Sequence, residues 1–360
     1  MPKTSIVAEQ TRRSKAQFER IDENRLKAFI EAQQEIRGPV TLLSTRYLTE
    51  GAGVTNGIAF VRMELDCGEG RTEKDFVLRY SPGPTLFKQK SFADEFLTLR
   101  VASTRRLPVP RVYWLDADGS QVGRPAFLME RVKGEAPAAA LFSEGPIAKA
   151  SPAERKAMML KAAGFHGRLR KTAISGRDAP HLIKRGTGST AIERELSWWL
   201  KEAQLAGDSD NPRRRLLEKA ATWLVDHQPK LYEPIVVHGD SQIANVMFDR
   251  GEIAAVLDWE LSYLGHVETD FAFLCWQSRS LQEMDRRVDG VPTDEEYMSA
   301  FESESGSPLQ AMEFFQVFIL VKVMCVYVCL GSVVPSFDQV WKYHEDALMA
   351  AWAKAKNIYV

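Results

Sequence analysis

The stretch from residue 236 to residue 260 reads VVHGDSQIANVMFDRGEIAAVLDWE, and it holds three polar side chains between apolar, strand-like runs. These side chains are Asp240, Asn245 and Asp258. Phosphoryl transfer requires a carboxylate that accepts the proton of the attacking hydroxyl, together with oxygen ligands for a magnesium ion beside the phosphates. The spacing therefore predicts Asp240 as a base, and Asn245 and Asp258 as ligands of Mg²⁺.

Apolar runs around these residues predict the local geometry. Residues 234–237 form a short apolar run that is typical of a buried strand. Residues 245–257 predict a hairpin, in which Gly251 can adopt a positive φ angle at the turn. This hairpin would fold Asp258 back beside Asn245. Each Asp or Asn alone also fits an ordinary turn, where such residues are common.

The motif His-Gly-Asp-x4-Asn at residues 238–245, followed by Leu-Asp-Trp-Glu at 257–260, resembles the aminoglycoside phosphotransferase family. That family is the small-molecule branch of the protein-kinase-like fold. The resemblance implies an α+β, two-lobed fold with a small β-rich N-lobe and a larger, mainly helical C-lobe. It also implies ATP and Mg²⁺ as cofactors, Asp240 as the catalytic base, and His238 and Asp270 as supports of the catalytic loop.

An upstream nucleotide-binding lobe would carry its own signals, and they occur in the expected order. A glycine-rich turn at 50–57 lies between strand-like runs, where Gly51 and Gly53 would let backbone N–H groups approach phosphates. Arg79 ends a strand-like run and can clamp phosphate oxygens, and Glu95 on the next helix is its expected ion-pair partner. Taken singly, these features also fit a plain hairpin, a solvated strand end and an exposed helix face.

The division into lobes follows from a strand at 126–130 that runs into a hinge. Backbone groups at Glu130 and Val132 are the implied contacts to the adenine. We predict residues 1–130 as the N-terminal nucleotide-binding lobe with a leading helix over 14–36, 131–134 as the hinge, and 135–360 as the C-lobe with the catalytic loop and the acceptor site. Helices of the C-lobe are predicted at 152–171, 190–204, 212–228, 293–304, 308–330 and 337–356.

One apolar segment, residues 314–335, approaches the length of a membrane span. Gln316 and Lys322 lie inside it, and charges are rare within spanning helices. A helix buried in the C-lobe explains the segment better than a membrane span.

The acceptor site should be formed by helices after the hinge and after Asp258. Candidate substrate contacts are Trp198, Trp199, Trp276 and Arg279, although aromatic residues at helical spacing also fit a packed core. A narrower resemblance covers most of the chain from residue 40. It is to the kinase-like domain fused to certain acyl-CoA dehydrogenases and to bacterial kinases of 4-hydroxyacyl-CoA. This resemblance implies a small-molecule hydroxyl substrate, with a hydroxyacyl-CoA as the first choice over an aminoglycoside-like alcohol.

Two positions depart from the family pattern. Relatives commonly have a basic residue where this chain has Gln242, and they commonly have Leu-Gly-Asp-Pro where it has Leu-Gly-His266-Val. His266 would meet the substrate or, more simply, lie in a surface loop. The loss of a cation at position 242 motivates a second hypothesis, a nucleotide-binding pseudokinase that acts through a partner. A metal-dependent hydrolase is a third, but it would leave Arg79 and the hinge without a role.

Composition bounds the remaining classes. The chain has 360 residues, 45% hydrophobic content and a net charge of −1, which argues against a nucleic-acid binder that relies on bulk charge. Its four cysteines lack the spacing of a metal finger and fit a reducing cytosol, with Cys325 and Cys329 expected as packed thiols. No membrane partner is expected, and the sequence does not fix an oligomeric state.

Overall fold

The structure is a computed structural model of the chain, and it describes residues 20–48, 56–81, 83, 86–137, 140–206, 212–284, 287–331 and 338–359. Within these residues, a five-stranded sheet forms the first lobe and helices form most of the second. The architecture is therefore the two-lobed α+β arrangement that the motifs predict.

Antiparallel strands build the N-lobe sheet. They are β1 (Thr41–Tyr47), β2 (Gly57–Asp66), β3 (Arg71–Tyr80), β4 (Val112–Asp116) and β5 (Ala126–Glu130). Their order across the sheet is β1-β2-β3-β5-β4, and each neighbouring pair is antiparallel. Strand β3 lies in the middle of the sheet, and its second half, residues 76–80, is buried on both faces.

Alternation along β3 sorts its side chains onto these two faces. Phe76 packs in the N-lobe core with helix α1 (Glu23–Glu31). Val77 packs on the opposite face, in a core that includes helix α2 (Phe92–Thr104) and much of the C-lobe. Arg79 follows Val77 by two residues, so it points toward the C-lobe.

The leading helix is shorter than predicted. Helix α1 starts after Asp22, whose carboxylate accepts a hydrogen bond from the amide of Asn24 at 2.8 Å and thereby caps the helix. The first part of the predicted helix, residues 14–19, lies outside the described residues.

Helices dominate the C-lobe. They are α3 (Gly145–Lys149), α4 (Pro152–Thr172), α5 (Ala191–Ala206), α6 (Pro212–Asp226), α7 (Val267–Met284), α8 (Asp294–Ser305), α9 (Met312–Gly331) and α10 (Asp338–Lys356). The six helices predicted for this lobe are confirmed, with ends that differ by a few residues. Helix α7 gives no clear sequence signal, because residues 267–272 are all buried and leave no polar stripe.

Short strands carry the catalytic region of the C-lobe. They are β6 (Ile235–Val237), β7 (Val246–Asp249), β8 (Glu252–Val256) and β9 (Tyr263–Gly265). Strands β7 and β8 form the predicted hairpin, and Gly251 has the predicted positive φ angle, +78°. Strand β6 pairs with β9.

Helix α9 lies at the centre of the C-lobe, in contact with α5, α6, α7 and α10. Its segment Met312–Leu330 is long and apolar enough to cross a membrane, with a mean hydropathy of 2.0, and 67% of that apolar window is buried inside the protein. The buried free thiols of Cys325 and Cys329 lie on this helix, as predicted. The helix is thus accounted for by packing within the lobe.

Candidate active site

The loop after β6 is held by side chains on both sides of it. Asp270, in the first turn of α7, accepts hydrogen bonds from the amides of His238 at 2.7 Å and Gly239 at 2.9 Å. The His238 ring accepts from the amide of Asp240 at 3.1 Å, and its other nitrogen lies 2.8 Å from the carbonyl of Leu257. His238 and Asp270 therefore lie where supports of the loop are predicted.

Neutral amides surround the carboxylate of Asp240. Gln242 Nε2 and Asn245 Nδ2 donate to Asp240 Oδ2 at 2.9 Å and 3.0 Å, and Asn245 Nδ2 also lies 2.8 Å from the Asp240 carbonyl. Burial raises the pKa of Asp240, and the nearby charge of Asp258 raises it further. A carboxylate with a raised pKa is better suited to accept a proton than an ordinary aspartate.

Gln242 thus has a defined contact. Its neutral amide donates to the carboxylate of Asp240 and orients it. Glutamine thus contributes a hydrogen-bond donor to the loop without a charge.

The hairpin brings Asp258 beside Asn245. The amide of Leu257 donates to the carbonyl of Asn245 at 2.8 Å, which joins the end of the hairpin to its beginning. Asp258 itself has φ +65° and ψ +56°, a left-handed conformation that non-glycine residues adopt mainly when local structure demands it. The predicted proximity of Asn245 and Asp258 is therefore confirmed at the level of the backbone.

Asp258 differs electrostatically from Asp240. Arg79 Nη2 donates to Asp258 Oδ1 at 2.8 Å. Burial alone would raise the pKa of Asp258, but the charge and hydrogen bond of Arg79 outweigh burial, so the pKa lies below its ordinary value. Asp258 is accordingly held in the ionised form, as a cation ligand must be.

The predicted ion pair between Arg79 and Glu95 is confirmed. Arg79 Nη2 lies 3.2 Å from Glu95 Oε2 and 3.3 Å from Glu260 Oε2, in addition to its contact with Asp258. Arg79 is 5% exposed and Glu95 is 1% exposed. Burial raises the pKa of Glu95 to about 7 despite the opposing charge of Arg79. Three carboxylates thus converge on one guanidinium at the cleft between the lobes.

A second buried cation, Lys90, lies in this cluster and carries no signal in the sequence. Its ammonium contacts the carboxylate of Glu260 and lies 3.3 Å from Asn56 Oδ1. Asn56 also donates to Glu260, so it ties the end of the 50–57 turn to the segment after Asp258. Lys90 precedes α2 in an irregular loop, which is why periodicity could not find it.

Of the glycine-rich segment at 50–57, the structure describes only residues 56 and 57. Gly51 and Gly53 lie outside the described residues. Gly57 begins β2, and a Cβ atom there would lie 2.2 Å from the ring of Tyr80, so packing against Tyr80 accounts for this glycine.

The residues that flank the predicted hinge, 131–134, are hydrogen-bonded to both lobes. The amide of Glu130 donates to the carbonyl of Arg111 at 2.7 Å, and Val132 is half-buried just after β5. Past the hinge, the amide of Glu135 donates to the carbonyl of Phe248 at 2.9 Å, and Phe248 donates back at 2.9 Å. Gly134 has φ +135°, and a Cβ there would lie 2.8 Å from that same Phe248 carbonyl. The hinge therefore ends directly against the β7–β8 hairpin.

Trp198 and Trp199 do not form a substrate wall, so the prediction for these two residues is wrong. They are 3% and 1% exposed, and both pack against Phe87 in the core around α9. Trp199 Nε1 donates to Glu195 at 2.7 Å. Both belong to the buried stripe of α5, and burial of such large aromatic surface contributes mainly to packing.

His266 is also placed differently from the prediction. It is 7% exposed and packs edge-on against the ring of Tyr232, so it is not a surface loop residue. Burial lowers its pKa to about 4, which keeps the imidazole neutral at physiological pH.

Trp276 and Arg279, in contrast, line a cavity of about 160 Å³ between α7, α9 and α10. Its other walls are Ser280, Glu283, Gln316, Ile319, Leu320, Tyr343, Ala347 and Ala351. Among the described residues, Trp276 Nε1 is buried without a hydrogen-bond partner.

Helix α7, which forms one wall of this cavity, also contacts the loop of Asp240. Gln277 of this helix donates from Nε2 to Gln242 Oε1 at 3.1 Å, and Gln242 in turn donates to Asp240. The predicted acceptor residues Trp276 and Arg279 therefore lie on the same helix that contacts the loop of the candidate base.

The oxygen donors of the site suit a magnesium ion that is also bound by phosphates and water. Within the described ranges, no group of three or more His, Cys, Asp or Glu side chains could hold a metal ion. Asn245 and Asp258 offer hard oxygen donors, and Mg²⁺ commonly takes only one or two ligands of this kind, with phosphates and water completing the set. Because Asn245 Nδ2 makes both contacts to Asp240, its amide oxygen is directed away from that residue. These residues fit Mg²⁺.

Comparison with known proteins places the chain among phosphate-transferring proteins. The model of the phosphotransferase enzyme family matches residues 66–300. Curated relatives include mouse acyl-CoA dehydrogenase family member 10, 26% identical over 302 residues, and mouse acyl-CoA dehydrogenase family member 11, 31% identical over 238 residues. These alignments cover 80% and 63% of this chain but only 26% and 29% of the relatives, so the chain spans less than a third of their length.

Solved structures share the whole fold. A candidate aminoglycoside phosphotransferase from Ralstonia eutropha is 22% identical with a TM-score of 0.67, and the match covers 94% of this chain and 99% of that one. Choline kinase from Streptococcus pneumoniae is 15% identical with a TM-score of 0.56, over 91% of this chain and 99% of that one. An amicoumacin kinase, solved with AMP-PNP and Ca²⁺, has a TM-score of 0.54 at 13% identity and covers 91% of this chain and 93% of that one. The predicted protein-kinase-like fold is confirmed.

Proposed function

The chain belongs to the phosphotransferase enzyme family, and from that premise we propose that it is a kinase with an alcohol group as acceptor. The reaction is transfer of the γ-phosphoryl group of ATP to a hydroxyl of a small molecule, with Asp240 as the base. The observation that carries this proposal is the pair of contrasting carboxylates. Asp240 is held by neutral donors, and Asp258 is held by a cation.

In the proposed reaction, the acceptor oxygen forms a bond to the γ-phosphorus while the bond between that phosphorus and the bridging oxygen of ADP breaks. The hydroxyl proton passes to Asp240 Oδ1 or Oδ2. Gln242 and Asn245 orient that carboxylate, and its raised pKa favours proton acceptance. Positioning of this kind supplies most of the catalysis in phosphoryl transfer.

Asn245 and Asp258 would hold Mg²⁺, which when bound supplies positive charge to the phosphate oxygens. The lowered pKa of Asp258 keeps its carboxylate ionised for this role. Arg79 would clamp phosphate oxygens, since its planar guanidinium suits bidentate contacts. Glu95 and Glu260 hold the guanidinium in place, and Lys90 adds a second positive charge to the same cluster.

We place the adenine against the hinge, at backbone groups of Glu130 and Val132. The amide of Glu130 is already engaged with Arg111, so Glu130 would contribute its carbonyl. Gly51 and Gly53, which lie outside the described residues, stay predicted contacts of the phosphates. The use of ATP is supported by the fold shared with a kinase solved with AMP-PNP.

We assign the acceptor to the cavity beside Trp276 and Arg279. This assignment is supported by helix α7, which forms a wall of the cavity and contacts the loop of Asp240 through the hydrogen bond between Gln277 and Gln242. Ile319 and Leu320 provide an apolar wall, and Trp276 Nε1 and Arg279 provide donors for a carbonyl or an anion. This mixture suits a hydroxyacyl group, and the names of the curated relatives support an acyl-CoA thioester as the carrier.

The test is transfer of radiolabelled γ-phosphate from ATP, with Mg²⁺ present, to hydroxyacyl-CoA thioesters, free hydroxy acids, choline and an aminoglycoside. We expect phosphorylation of a thioester at the highest kcat/KM. Phosphorylation of a different alcohol would retain the kinase and remove the acyl-CoA assignment. Nucleotide binding without transfer to any acceptor would instead support a pseudokinase.

A further inference from the structure

Helix α9 carries one lysine in the middle of an otherwise apolar run. Apart from Glu313 in the first turn, Lys322 is the only charged residue between Met312 and Gly331. Its side chain is 5% exposed. A lysine this deeply buried is costly unless the ammonium is paired and hydrogen-bonded, so its contacts require an explanation.

The ammonium of Lys322 reaches the catalytic loop. Nζ donates to the carbonyl of Gly239 at 2.5 Å and lies 3.6 Å from Glu195 Oε1. It also lies over the rings of Trp199 and Tyr263, at 5.3 Å and 5.1 Å from their centroids. Two aromatic faces, a carboxylate and a carbonyl therefore surround the charge.

The carbonyl of Gly239 belongs to the same peptide unit as the amide of Asp240. Lys322 holds one end of that unit, and the ring of His238 holds the other end at 3.1 Å. The preceding amide, that of Gly239, donates to Asp270. Because the peptide plane before Asp240 is held at both ends, the direction in which the base leaves the backbone is fixed.

Glycine is required at the clamped position. Gly239 has φ +81°, and a Cβ atom there would lie 2.1 Å from the carbonyl of Leu261. The backbone at this position therefore packs directly against the segment of Leu261, on which no side chain at residue 239 would fit.

The charge below the loop also bears on the base. Glu195 pairs with Arg185 at 2.8 Å and with Lys322, so these three side chains together carry one excess positive charge. Burial lowers the pKa of Lys322 and the charge of Arg185 lowers it further, whereas Glu195, Asp270 and Asp240 favour its charged form. Positive charge therefore lies behind the loop in a chain that has neutral Gln242 on the loop itself.

We propose that Lys322 is a positioning residue for the phosphoryl transfer proposed above. It holds the peptide unit before Asp240 and places an ammonium group behind a loop whose residue 242 is neutral. The inference depends on the proposed function for its catalytic consequence, but the clamp itself can be measured without any turnover.

The experiment compares Lys322→Met with the intact protein. Methionine keeps an unbranched apolar stem, and Glu195 retains Arg185 and Trp199 as partners, so the fold should survive. We expect kcat to fall about 10- to 100-fold, because small misplacement of a reacting group has effects of this size. The nucleotide Kd should change less than about twofold. Lys322→Arg, which keeps the charge and the donors, should recover most of the loss. Lys342→Met, an exposed lysine on α10, is the matched control.

A double mutant separates positioning from general structural damage. In the Asp240→Asn background, Lys322→Met should change kcat less than about threefold, because residues that act as a unit are not additive. The proposal is overturned if Lys322→Met lowers kcat by the same factor in the Asp240→Asn background as in the intact protein.

Hydrogen exchange provides the readout that is independent of activity. Amides of the peptide spanning residues 236–245 should exchange at least about tenfold faster in Lys322→Met, while those of β1–β3 remain unchanged. Unchanged protection of the loop overturns the proposal whether or not the protein transfers phosphate. If the intact protein transfers no phosphate but the loop exchanges faster in Lys322→Met, the proposed function is wrong. The role of Lys322 in holding the loop is then still supported.

Discussion

The two sides of the cleft act on a half-buried aspartate in opposite ways. Asp240, on the acceptor side, is contacted by amides, and its pKa is raised by burial. Asp258, on the nucleotide side, is contacted by Arg79, and its pKa is lowered even though burial opposes this. Two carboxylates of the same type are thereby suited to different tasks, one to accept a proton and the other to remain ionised beside a cation.

The difference in pKa arises because side chains from different parts of the protein contact Asp240 and Asp258. Arg79 and Lys90 come from the N-lobe side and converge on Asp258 and Glu260. Gln242 and Gln277 belong to the C-lobe and carry no charge to Asp240. Arg79 and Lys90 thus lie paired with carboxylates where phosphates would lie, whereas the side chains that donate to the Asp240 carboxylate are neutral amides.

The most direct way to break this contrast is Asp240→Asn. Loss of the base should lower kcat about 10²- to 10⁴-fold, while the nucleotide Kd changes less than about threefold, because the cations lie on the other side. Single-turnover transfer and nucleotide titration measure the two quantities. Asp249→Asn, an exposed carboxylate in the nearby hairpin turn, should leave both unchanged. An Asp240→Asn variant with normal turnover would remove the base assignment.

Arg79→Met removes the cation from the nucleotide side. We expect the nucleotide Kd to rise about 10- to 100-fold, the size of one or two charge-assisted hydrogen bonds. Stability should fall by about 3–5 kcal/mol, because Glu95, Asp258 and Glu260 lose their shared partner in a buried site. Isothermal titration and denaturant unfolding measure the two effects. The exposed Arg62→Met is the control and should cost less than about 1 kcal/mol. Unaltered nucleotide affinity in Arg79→Met would contradict the clamp.

The pH profile of kcat/KM sharpens the contrast. Asp240 acts only when ionised, so activity should be lost as the pH falls through its pKa, and burial places that acidic limb above the ordinary aspartate value. Gln242→Lys puts a cation beside Asp240 and should move the acidic limb to lower pH by about one unit. If the acidic limb of kcat/KM in Gln242→Lys stays in place or moves to higher pH, a group other than Asp240 controls it.

The smallest expected effect concerns the acceptor cavity. Arg279→Ala should raise the KM of the acceptor about 3- to 10-fold with little change in nucleotide affinity, because one exposed donor is lost. Trp198→Phe should leave the acceptor KM unchanged and lower the melting temperature, because Trp198 packs in the core. If Trp198→Phe raises the acceptor KM and Arg279→Ala does not, Trp198 is a substrate contact and the cavity is not the acceptor site.

Spacing along the sequence was sufficient to predict contacts between residues that a short hairpin brings together. Asn245 and Asp258 approach because a tight turn with Gly251 returns the chain on itself, and turn chemistry is written in neighbouring residues. The pair of Arg79 and Glu95 was predictable because strand alternation and helical spacing each direct a side chain to a known face.

The same reasoning failed where residue type does not distinguish burial from binding. Trp198 and Trp199 satisfy the pattern of a ligand wall and of a core stripe equally well, and only the packing of α5 on α9 decides for the core. Lys90 and Glu260 meet although 170 positions separate them, and no periodicity links an irregular loop to the segment after Asp258.

The sequence by itself therefore predicted the two-lobed fold, through the resemblance of its motifs to a kinase-like family, and it predicted the meeting of Asn245 and Asp258, because that meeting depends on a local turn between two short strands. The tertiary structure decided which of Asp240 and Asp258 faces cations, which tryptophans are buried and what the lysine of α9 holds. These properties depend on charges and surfaces brought together from distant parts of the chain, and no local pattern records such meetings.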